Sequence, residues 1–352
     1  MIKGIKPSLA QAGAIKIGKL SENERTAGSG RKWRPPVKLD HFLVTKTTRG
    51  EDGNLEVDDG MMEELANQGF DDSDKKIRSI PILLHSDSID DVFPTVYAWY
   101  SGKQVVCRGD GEKATRWEVK DAKKTGRTKE IACPCELLER DAKGAQKCKP
   151  HGVLHCTVAL PGRAVAGAVY RYRTTGIISV QRIIGSLEQI LAIIGTITNV
   201  PLVLRVTPVQ VTPDGRTQTV YSVHVEFRQE IIGAQQAAIA AREARAKLGA
   251  PSVEIRALLQ APASDAESPE EQAEVEAEFY PPEDAPALEP EPAGRTQAVK
   301  DAAKKTASKG KALSAEETKK ALEEAKAAKA EAEPEPEPDT DAPDYGEPDV
   351  DF

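Results

Sequence analysis

The sequence predicts an α+β protein: a mostly antiparallel sheet or small open barrel with one buried helix, a zinc-stabilised cysteine loop and a long disordered acidic C-terminal tail. Three observations predict this class. Short β-branched and aromatic runs separated by turn residues recur up to about residue 260. One apolar run of helical period interrupts them. Beyond residue 260 Ala, Glu, Pro and Lys dominate, and so polar a segment cannot bury enough apolar surface to offset the entropy of ordering.

The same changes in composition divide the chain into four segments. Residues 1–34 are predicted to be an irregular basic N-terminal segment, because glycines punctuate them and lysines and arginines recur. Residues 35–230 are predicted to form the α+β core domain, with the cysteine cluster at residues 133–156. An Ala-rich helix over residues 231–259 and a disordered acidic tail over residues 260–352 complete the chain.

Within the core domain, alternating apolar residues and turn signals predict six or seven strands. The clearest pair is a hairpin in which Leu202–Thr212 and Thr217–Phe227 flank the turn Pro213-Asp214-Gly215. The buried helix is predicted to begin at Ser179 and to end at Gly195, because its apolar residues recur at helical spacing and glycine favours a helix end. The other strands are expected at residues 37–47, 77–84, 92–100, 104–107 and 168–174.

Charge is unequally divided between the body and the tail. The chain has a net charge of −8, but the segment from Ala261 onward carries about −16 and the remainder about +8. A basic body suits an anionic partner, and an acidic tail suits a basic one. The alternative for the body is that its basic side chains only solvate the surface.

The sequence favours a reducing cytoplasm over a membrane or an oxidising compartment. The N-terminal stretch MIKGIKPSLA lacks the apolar core of a secretory signal. The longest apolar stretch, about Ile177–Leu204, contains Arg182, Glu188 and Pro201, which predict a buried helix and a strand rather than a membrane span. An odd number of cysteines in one segment argues against a disulfide framework.

All five cysteines lie between residues 107 and 156. Four of them have a spacing that suits a tetrahedral structural zinc site, which would order a loop with few apolar residues of its own. The predicted ligands are Cys133, Cys135, Cys148 and Cys156. Cys107 could replace one of them, and His151 and His155 are further candidates. The spacing lacks the C-x₂-C pair of the commonest zinc ribbons, so free or redox-active thiols are the alternative.

Basic and aromatic residues occur side by side in two parts of the body and predict a nucleic-acid interface. Aromatic rings can stack on bases while cations follow the phosphates. The candidate residues are Lys32, Trp33, Arg34, Arg171 and Arg173. The alternative is that the aromatic residues belong to the core and the charges are solvated.

The C-terminal run DTDAPDYGEPDVDF is acidic and has an apolar tip. It resembles the acidic tip of bacterial single-stranded-DNA-binding proteins, so Asp351 and Phe352 are predicted to bind a partner protein. Such a tail could also compete with nucleic acid for the basic body. A tail that only confers solubility is the alternative.

No catalytic motif is recognisable. The sequence contains no H-E-x-x-H, nucleophile elbow or kinase signature, and its five histidines are scattered. A hydrolytic metal site would need His or carboxylate ligands and an open coordination position. A metal-dependent hydrolase therefore ranks below a non-enzymatic role.

Five stretches together resemble a phage protein family. They are IKPSLAQAGAIKIG, PPVKLDHFLVT, CRGDG, CKPHGVLHC and YRYRTTGIISVQRIIGSLEQI. Over about residues 1–230 the chain resembles the recombination directionality factor-like group, often labelled "hydrolase or metal-binding protein". The resemblance implies a bacterial host cell, a metal held by the cysteines, and similarity to the accessory protein that binds a phage serine integrase and switches it from integration to excision. It carries over no catalytic residues.

The function predicted from these features is that of a non-enzymatic phage DNA-recombination accessory protein. It would bind single- or double-stranded DNA, a serine integrase, or both, through a body stabilised by structural Zn²⁺. The long acidic tail departs from the compact members of the family. It supports the alternative of a single-stranded-DNA-binding protein whose tip recruits replication or recombination proteins.

Overall fold

A computed structural model describes residues 10–30, 32–50, 54–101, 104–120, 123–139, 146–162, 167–212, 217–228, 231–247 and 269–280. The strands in this part of the chain are β1 Ala10–Leu20, β2 Arg25–Thr26, β3 Lys32–Trp33, β4 Pro36–Arg49, β5 Leu55–Val57, β6 Ser79–Leu83, β7 Thr95–Ser101, β8 Gln104–Gly109, β9 Lys113–Lys120, β10 Lys123–Ala132, β11 Lys149–Val158, β12 Ala168–Thr174, β13 Leu202–Val211 and β14 Gln218–Glu226. The helices are α1 Asp59–Asn67, α2 Ile89–Val92, α3 Ile177–Ile194, α4 Ile231–Lys247 and α5 Pro269–Phe279.

Most strands belong to one branched sheet. Its main path runs β10-β9-β8-β7-β11-β12-β1-β4-β5, and the branch runs from β11 through β6 and β13 to β14. All pairs are antiparallel except β1 with β12. The main path ends at β10 and β5, so within the described residues the sheet is open. The predicted mostly antiparallel α+β architecture is confirmed in its open form, and a closed barrel is not formed.

Strand β1 lies in the middle of this sheet, between β12 and β4. The prediction of an irregular segment over residues 1–34 is therefore wrong for Ala10–Leu20. The strand is not recognisable from the sequence, because AQAGAIKIGKL contains small and charged residues instead of a regular apolar alternation. Gly13 permits the close packing, since a Cβ there would lie 2.2 Å from the Thr45 carbonyl oxygen and 2.8 Å from the Tyr170 ring.

The prediction of six or seven strands is also too low, because the described residues form 14. The ribbon of β9 and β10 accounts for part of the difference. Described β10 residues from Gly126 to Glu130 are exposed, and the sequence KKTGRTKEIA has no apolar alternation. Backbone pairing through β8 holds this ribbon, and such pairing leaves little trace in a hydropathy pattern.

Helix α3 packs its apolar stripe into the main core. Its buried apolar residues are Val180, Ile183, Leu187, Ile190 and Ile194. The helix ends at Gly195 in the left-handed conformation, as predicted, but it begins at Ile177, before Ser179. By length and composition alone this 18-residue helix could cross a membrane. Its apolar stripe is buried in the main core.

The predicted hairpin after α3 is confirmed, since β13 and β14 pair antiparallel from Val203 with Glu226 to Val211 with Gln218. Further main-core side chains come from the main path of the sheet, from its branch and from α1. They include Phe42, Val44, Met61, Leu65, Ile80, Ile82, Leu154, Val158, Tyr172, Leu204, Val206, Val223 and Val225.

Two helices follow the sheet in the chain. Helix α4 falls within the predicted Ala-rich helix of residues 231–259. The prediction of a disordered tail over residues 260–352 is wrong for Pro269–Tyr280, because α5 packs on the sheet and buries Val275. Residues 281–352, with the predicted tip Asp351 and Phe352, lie outside the described part of the chain.

Candidate functional sites

The sheet face opposite the main core carries five basic side chains, named here the cationic face: Lys16, Arg49, Lys149, Arg171 and Arg173. Strand alternation places them there. In β12, Tyr170 and Tyr172 point into the main core, so Arg171 and Arg173 point to the other side. Cross-strand pairing sets β1 beside β12, with Ala14 opposite Arg171. Both predicted candidates on β12 therefore belong to one basic surface.

Helix α5 lies on this cationic face and pairs its carboxylates with it. Glu271 accepts hydrogen bonds from Arg171 and, at 3.1 Å, from Arg173. Glu274 binds Lys16 and, at 3.0 Å, Arg49. Because both arginine side chains on β12 are about nine-tenths buried, these ion pairs are largely screened from water.

A third carboxylate extends the row of ion pairs. Glu278 accepts a hydrogen bond of 3.0 Å from the Lys16 ammonium. Burial alone would lower the pKa of Lys16, but Glu278 and Glu274 outweigh it and raise that pKa above its ordinary value. Burial would raise the pKa of Glu274, but Lys16 and the nearby arginines lower it below its ordinary value. Both shifts favour the charged pair.

An aromatic pocket lies at the C-terminal end of α5. The Tyr280 hydroxyl donates to the Ala98 carbonyl at 2.7 Å and lies 2.6 Å from His151 Nε2. The Tyr280 and His151 rings are parallel within 4°, with centroids 5.7 Å apart, and the Tyr100 ring lies 5.5 Å from that of Tyr280. The Lys149 ammonium stands 4.8 Å from the Tyr280 ring centroid and donates to the Phe279 carbonyl.

The histidines of β11 are held neutral on this face. Burial, with the positive charges of Lys149, Arg173 and Arg108, lowers the pKa of His151 to about 3. Burial, with Arg171, His85 and Arg173, lowers the pKa of His155 to about 3. A neutral His151 can donate from Nε2 to the Tyr280 oxygen, which in turn donates to Ala98. Neither histidine lines the cavity that Cys107, Cys133, Cys135 and Cys148 share, so the structure does not support the prediction that they are further metal ligands.

The other predicted nucleic-acid residues belong to a separate small ribbon of β2 and β3, in which Lys32 and Trp33 form β3 and Arg34 follows it directly. Lys32 is exposed and Arg34 partly so, and both pair with Glu24 at 3.7 and 3.8 Å. Trp33 is buried, which agrees with the core alternative for this residue. This ribbon is a separate two-stranded sheet, whereas Arg171 and Arg173 lie in the main sheet.

Four of the five cysteines line one small cavity of about 10 Å³. They are Cys107, Cys133, Cys135 and Cys148. Strand β8 supplies Cys107, the turn after β10 supplies Cys133 and Cys135, and Cys148 directly precedes β11. Backbone hydrogen bonds fix these segments, from the Cys133 amide to Glu112 and from the Cys148 amide to Leu137, both 2.9 Å long.

Cys156 does not belong to this cluster. It is fully buried in the main core, with its Sγ 3.8 Å from the Tyr170 carbonyl oxygen. The predicted ligand set of Cys133, Cys135, Cys148 and Cys156 is therefore corrected to one in which Cys107 stands in place of Cys156. Strand alternation explains this, because Cys156 lies beside Leu154 and Val158 on the core side of β11.

The close spacing of the four cysteines affects the pKa values of their thiols. Burial and the neighbouring cysteines raise the pKa of Cys148 to about 12 and also raise that of Cys133. Arg116 points a guanidinium nitrogen at Cys135 Sγ, 3.5 Å away. Gly109 leaves room for the thiols, since a Cβ there would lie 2.8 Å from Cys133 Sγ.

Four sulfur donors around one cavity are the donor set of a closed structural zinc site. A metal would replace the thiol protons that burial otherwise retains. Within the residues that the structure describes, however, no three His, Cys, Asp or Glu side chains are arranged as the ligands of one metal ion. The type and number of donors fit zinc, and the ligation itself stays a prediction.

Sequence reasoning missed the residues of α5 and the strand that carries Lys16. The signal for α5 was the pattern of Glu271, Glu274, Val275 and Glu278, which places three carboxylates and one apolar residue at helical spacing. This pattern does not stand out from the composition, because the surrounding segment is rich in Ala, Glu and Pro.

Comparison with known proteins gives one match. Residues 12–228 match the family model Gp3-like, described as recombination directionality factor-like. The matched range holds Lys16, Arg49, Arg171, Arg173 and all five cysteines, and it ends before α4 and α5. No curated protein and no solved structure gives a significant match.

Proposed function

The chain belongs to the Gp3-like family of recombination directionality factor-like proteins, and on that premise we propose that it is a non-enzymatic accessory factor of phage DNA recombination. It binds DNA and a serine integrase in the bacterial host cytoplasm and shifts the integrase from integration towards excision. The single observation that carries the proposal is the family match, which covers more than half of the chain and nearly the whole sheet.

The DNA-binding part of the proposal is supported by the charge of the body. The sequence before Ala261 carries about +8, and five of its basic side chains share the cationic face. Basic side chains on one surface supply the phosphate contacts that dominate affinity for DNA. Binding is therefore expected to weaken as the salt concentration rises.

A structural role for zinc is part of the same proposal. Cys107, Cys133, Cys135 and Cys148 would hold the ion, which would join β8, the turn after β10 and the start of β11. Zn²⁺ supplies folding energy in such closed sites. An all-thiolate set leaves no open position for a water molecule, and this supports a non-enzymatic role over a metal-dependent hydrolase.

The proposal is tested by recombination in vitro with the serine integrase of the same phage. Adding the purified chain should promote recombination between the two sites that flank an integrated genome and inhibit recombination between the original phage and host sites. A reaction with the chain but without integrase is the control, and it should yield neither recombinants nor cleaved DNA. Unchanged direction of recombination, with no co-purification of integrase in the presence or absence of DNA, would refute the proposal.

A further inference from the structure

Helix α5 covers the cationic face and supplies a negatively charged partner for four of its basic side chains. Glu271, Glu274 and Glu278 present a row of anions to Lys16, Arg49, Arg171 and Arg173. At the end of this row a flat ring, that of Tyr280, enters the pocket of His151 and Tyr100. A row of anions followed by an aromatic ring is also the chemistry of a nucleic-acid strand.

We propose that the cationic face and the His151–Tyr100 pocket form a binding site for single-stranded nucleic acid, and that α5 is an intramolecular competitor that occupies this site. The inference rests on the DNA-binding part of the proposed function and deepens it, because it names the surface, the form of the ligand and the regulation.

The anions of α5 stand where phosphates would stand. In a helix the three glutamates are separated by about 4.5 and 6 Å along the axis, so their carboxylates form a row. Their partners lie on three adjacent strands: Glu271 pairs with Arg171 of β12, Glu274 pairs with Lys16 of β1 and Arg49 of β4, and Glu278 pairs again with Lys16. Guanidinium groups bind phosphate oxygens with the same donors that they offer to carboxylates.

The pocket selects an unpaired base over a duplex. The Tyr280 ring is enclosed by His151, Tyr100 and the Lys149 ammonium, and its hydroxyl is bonded to Ala98 and His151. A base inserted there would stack on His151 and present a polar edge to the same two groups. Only a base free of its duplex partner can enter such a pocket, and recognition of this kind is typical of single strands.

The docking of α5 is suited to being reversed. Val275 is the one apolar side chain of the described helix that is fully buried, and it contacts the small cluster of Ala98, Tyr100 and Val105. Phe279 and Tyr280 pack on the same cluster while only partly buried. The other side of the helix is held by the ion pairs of Glu271, Glu274 and Glu278, which salt and competing anions weaken. A helix that stayed docked permanently could be stabilised equally well by apolar contacts, since buried ion pairs seldom stabilise more than a well-packed apolar replacement.

An open groove beside α5 offers room for a ligand that extends beyond the surface the helix covers. A groove of about 540 Å³ runs between α5 and strands β1, β4 and β5, with Lys16, Lys19 and Arg49 among its lining residues. A strand of nucleic acid bound along the cationic face could continue into this groove past Lys19. The carboxylates of α5 lie at its side and would repel the phosphates for as long as the helix remains docked.

The test compares three forms of the full chain for binding to a labelled single-stranded oligonucleotide by fluorescence anisotropy. The first is the natural sequence. The second carries E271Q, E274Q and E278Q, which removes the competing anions. The matched control carries E63Q, E188Q and E243Q, which makes the same charge change at exposed helical positions. Circular dichroism and thermal unfolding establish that each form is folded.

The expected result is an affinity at least about tenfold higher for the second form than for the other two. Its binding should depend on salt with a slope of about −3 on logarithmic axes, as for roughly four phosphate contacts. Y280A, which empties the pocket without altering charge, should raise the affinity severalfold by itself. Adding K16Q and R49Q to the second form should abolish most of the gain.

The outcomes separate this inference from the proposed function. Equal affinity of the natural chain, the triple variant and Y280A would overturn the inference but leave DNA binding intact. Absence of binding to both single strands and duplex in every form would refute the DNA-binding part of the proposed function as well. A gain in affinity for integrase in the second form, without a gain for the oligonucleotide, would identify the face as a protein-docking surface and overturn the inference.

Discussion

Cys107 and Cys156 show how one residue type acquires two roles. Both lie in strands and both are buried. Cys107 faces the cavity with three other cysteines, whereas Cys156 packs among the apolar side chains of the main core. The thiol of Cys156, whose pKa burial raises to about 12, behaves there as a small apolar group.

This difference gives a prediction for metal binding. C107S should lower the zinc content of the purified protein well below one ion per chain, because loss of even an outer-shell partner weakens metal binding about 10- to 100-fold and loss of a ligand weakens it more. C156S is the matched control and should retain the metal. Elemental analysis by mass spectrometry measures both. Equal zinc content in the two variants would exclude Cys107 as a ligand.

Asp87 holds the turn after α3 through hydrogen bonds to its carboxylate. One carboxylate oxygen accepts four hydrogen bonds of 2.6 to 2.9 Å from residues 196–198, in the turn that follows α3. Burial by itself would raise the pKa of Asp87, but the hydrogen bonds from Thr196, Thr198 and Ile197 outweigh it and lower that pKa. The donors are buried, so they depend on this acceptor.

We therefore expect D87A to lower the free energy of unfolding at pH 7 by about 1–3 kcal/mol, since buried donors lose their acceptor. A lowered pKa in the folded state means that this stabilisation is present above the ordinary Asp pKa and is lost as the pH falls through the lowered value. Urea denaturation of both proteins between pH 3 and pH 7 measures it. A stability difference that did not shrink towards acid pH would contradict the role of the ionised carboxylate.

At the scale of the element, β1 depends on Gly13. G13A places a methyl group against the Thr45 carbonyl oxygen and the Tyr170 ring, so strands β1, β4 and β12 would have to separate locally. The expected loss in the free energy of unfolding is about 2–3 kcal/mol. G185A is the control, since a Cβ in that part of α3 meets nothing within 4 Å and should raise stability by up to about 1 kcal/mol. Chemical denaturation compares them, and an unchanged stability in G13A would show that β1 can shift freely.

Elements with a strong local pattern were predictable from the sequence, and elements stabilised by distant pairing were not. Helix α3 and the β13–β14 hairpin carry their periodicity within one segment. Strand β1 instead pairs with β4 and with β12, and β12 is more than 100 residues away, because Ala10 pairs with Ala168. The sequence predicts three of the four cysteines that line the cavity. Only the alternation of β8 and β11 distinguishes Cys107 from Cys156, and it requires the register.

Helix α5 could not be predicted as a docked element because its own composition does not require folding. It lacks a broad apolar face, and its carboxylates are stabilised by Lys16, Arg49, Arg171 and Arg173 from three different strands. The negative charge of this part of the sequence was recognisable. The surface that receives it exists only once the sheet has formed.

On the scale of the whole molecule, we expect the main core and α5 to differ in local stability. The main core contains most of the buried apolar residues, while α5 adds Val275 to the small second cluster. Elements with few buried apolar contacts open at lower free-energy cost than the core. The charge division between body and tail therefore has a structural counterpart, in which an acidic segment covers part of the basic body.

V275D should release α5 without unfolding the sheet, because it buries a charge in the second cluster only. Amide hydrogen exchange in residues 269–280 is expected to accelerate by at least tenfold, while α3 keeps its protection. V119D, at a valine that is 42 % exposed on β9, is the control and should leave both rates unchanged. Faster exchange in α3 of V275D would show that α5 and the core are one cooperative unit.

The parallel pair of β1 and β12 determines when the middle of the sheet's main path can close during synthesis. Strand β1 leaves the ribosome early and can pair with β4, but its other edge must wait for residues 168–174. Until then the nascent chain presents an open strand edge, which is the kind of surface that chaperones protect and that aggregates form on. Translation products that stop before residue 174 are therefore expected to be insoluble, however complete their local hairpins are.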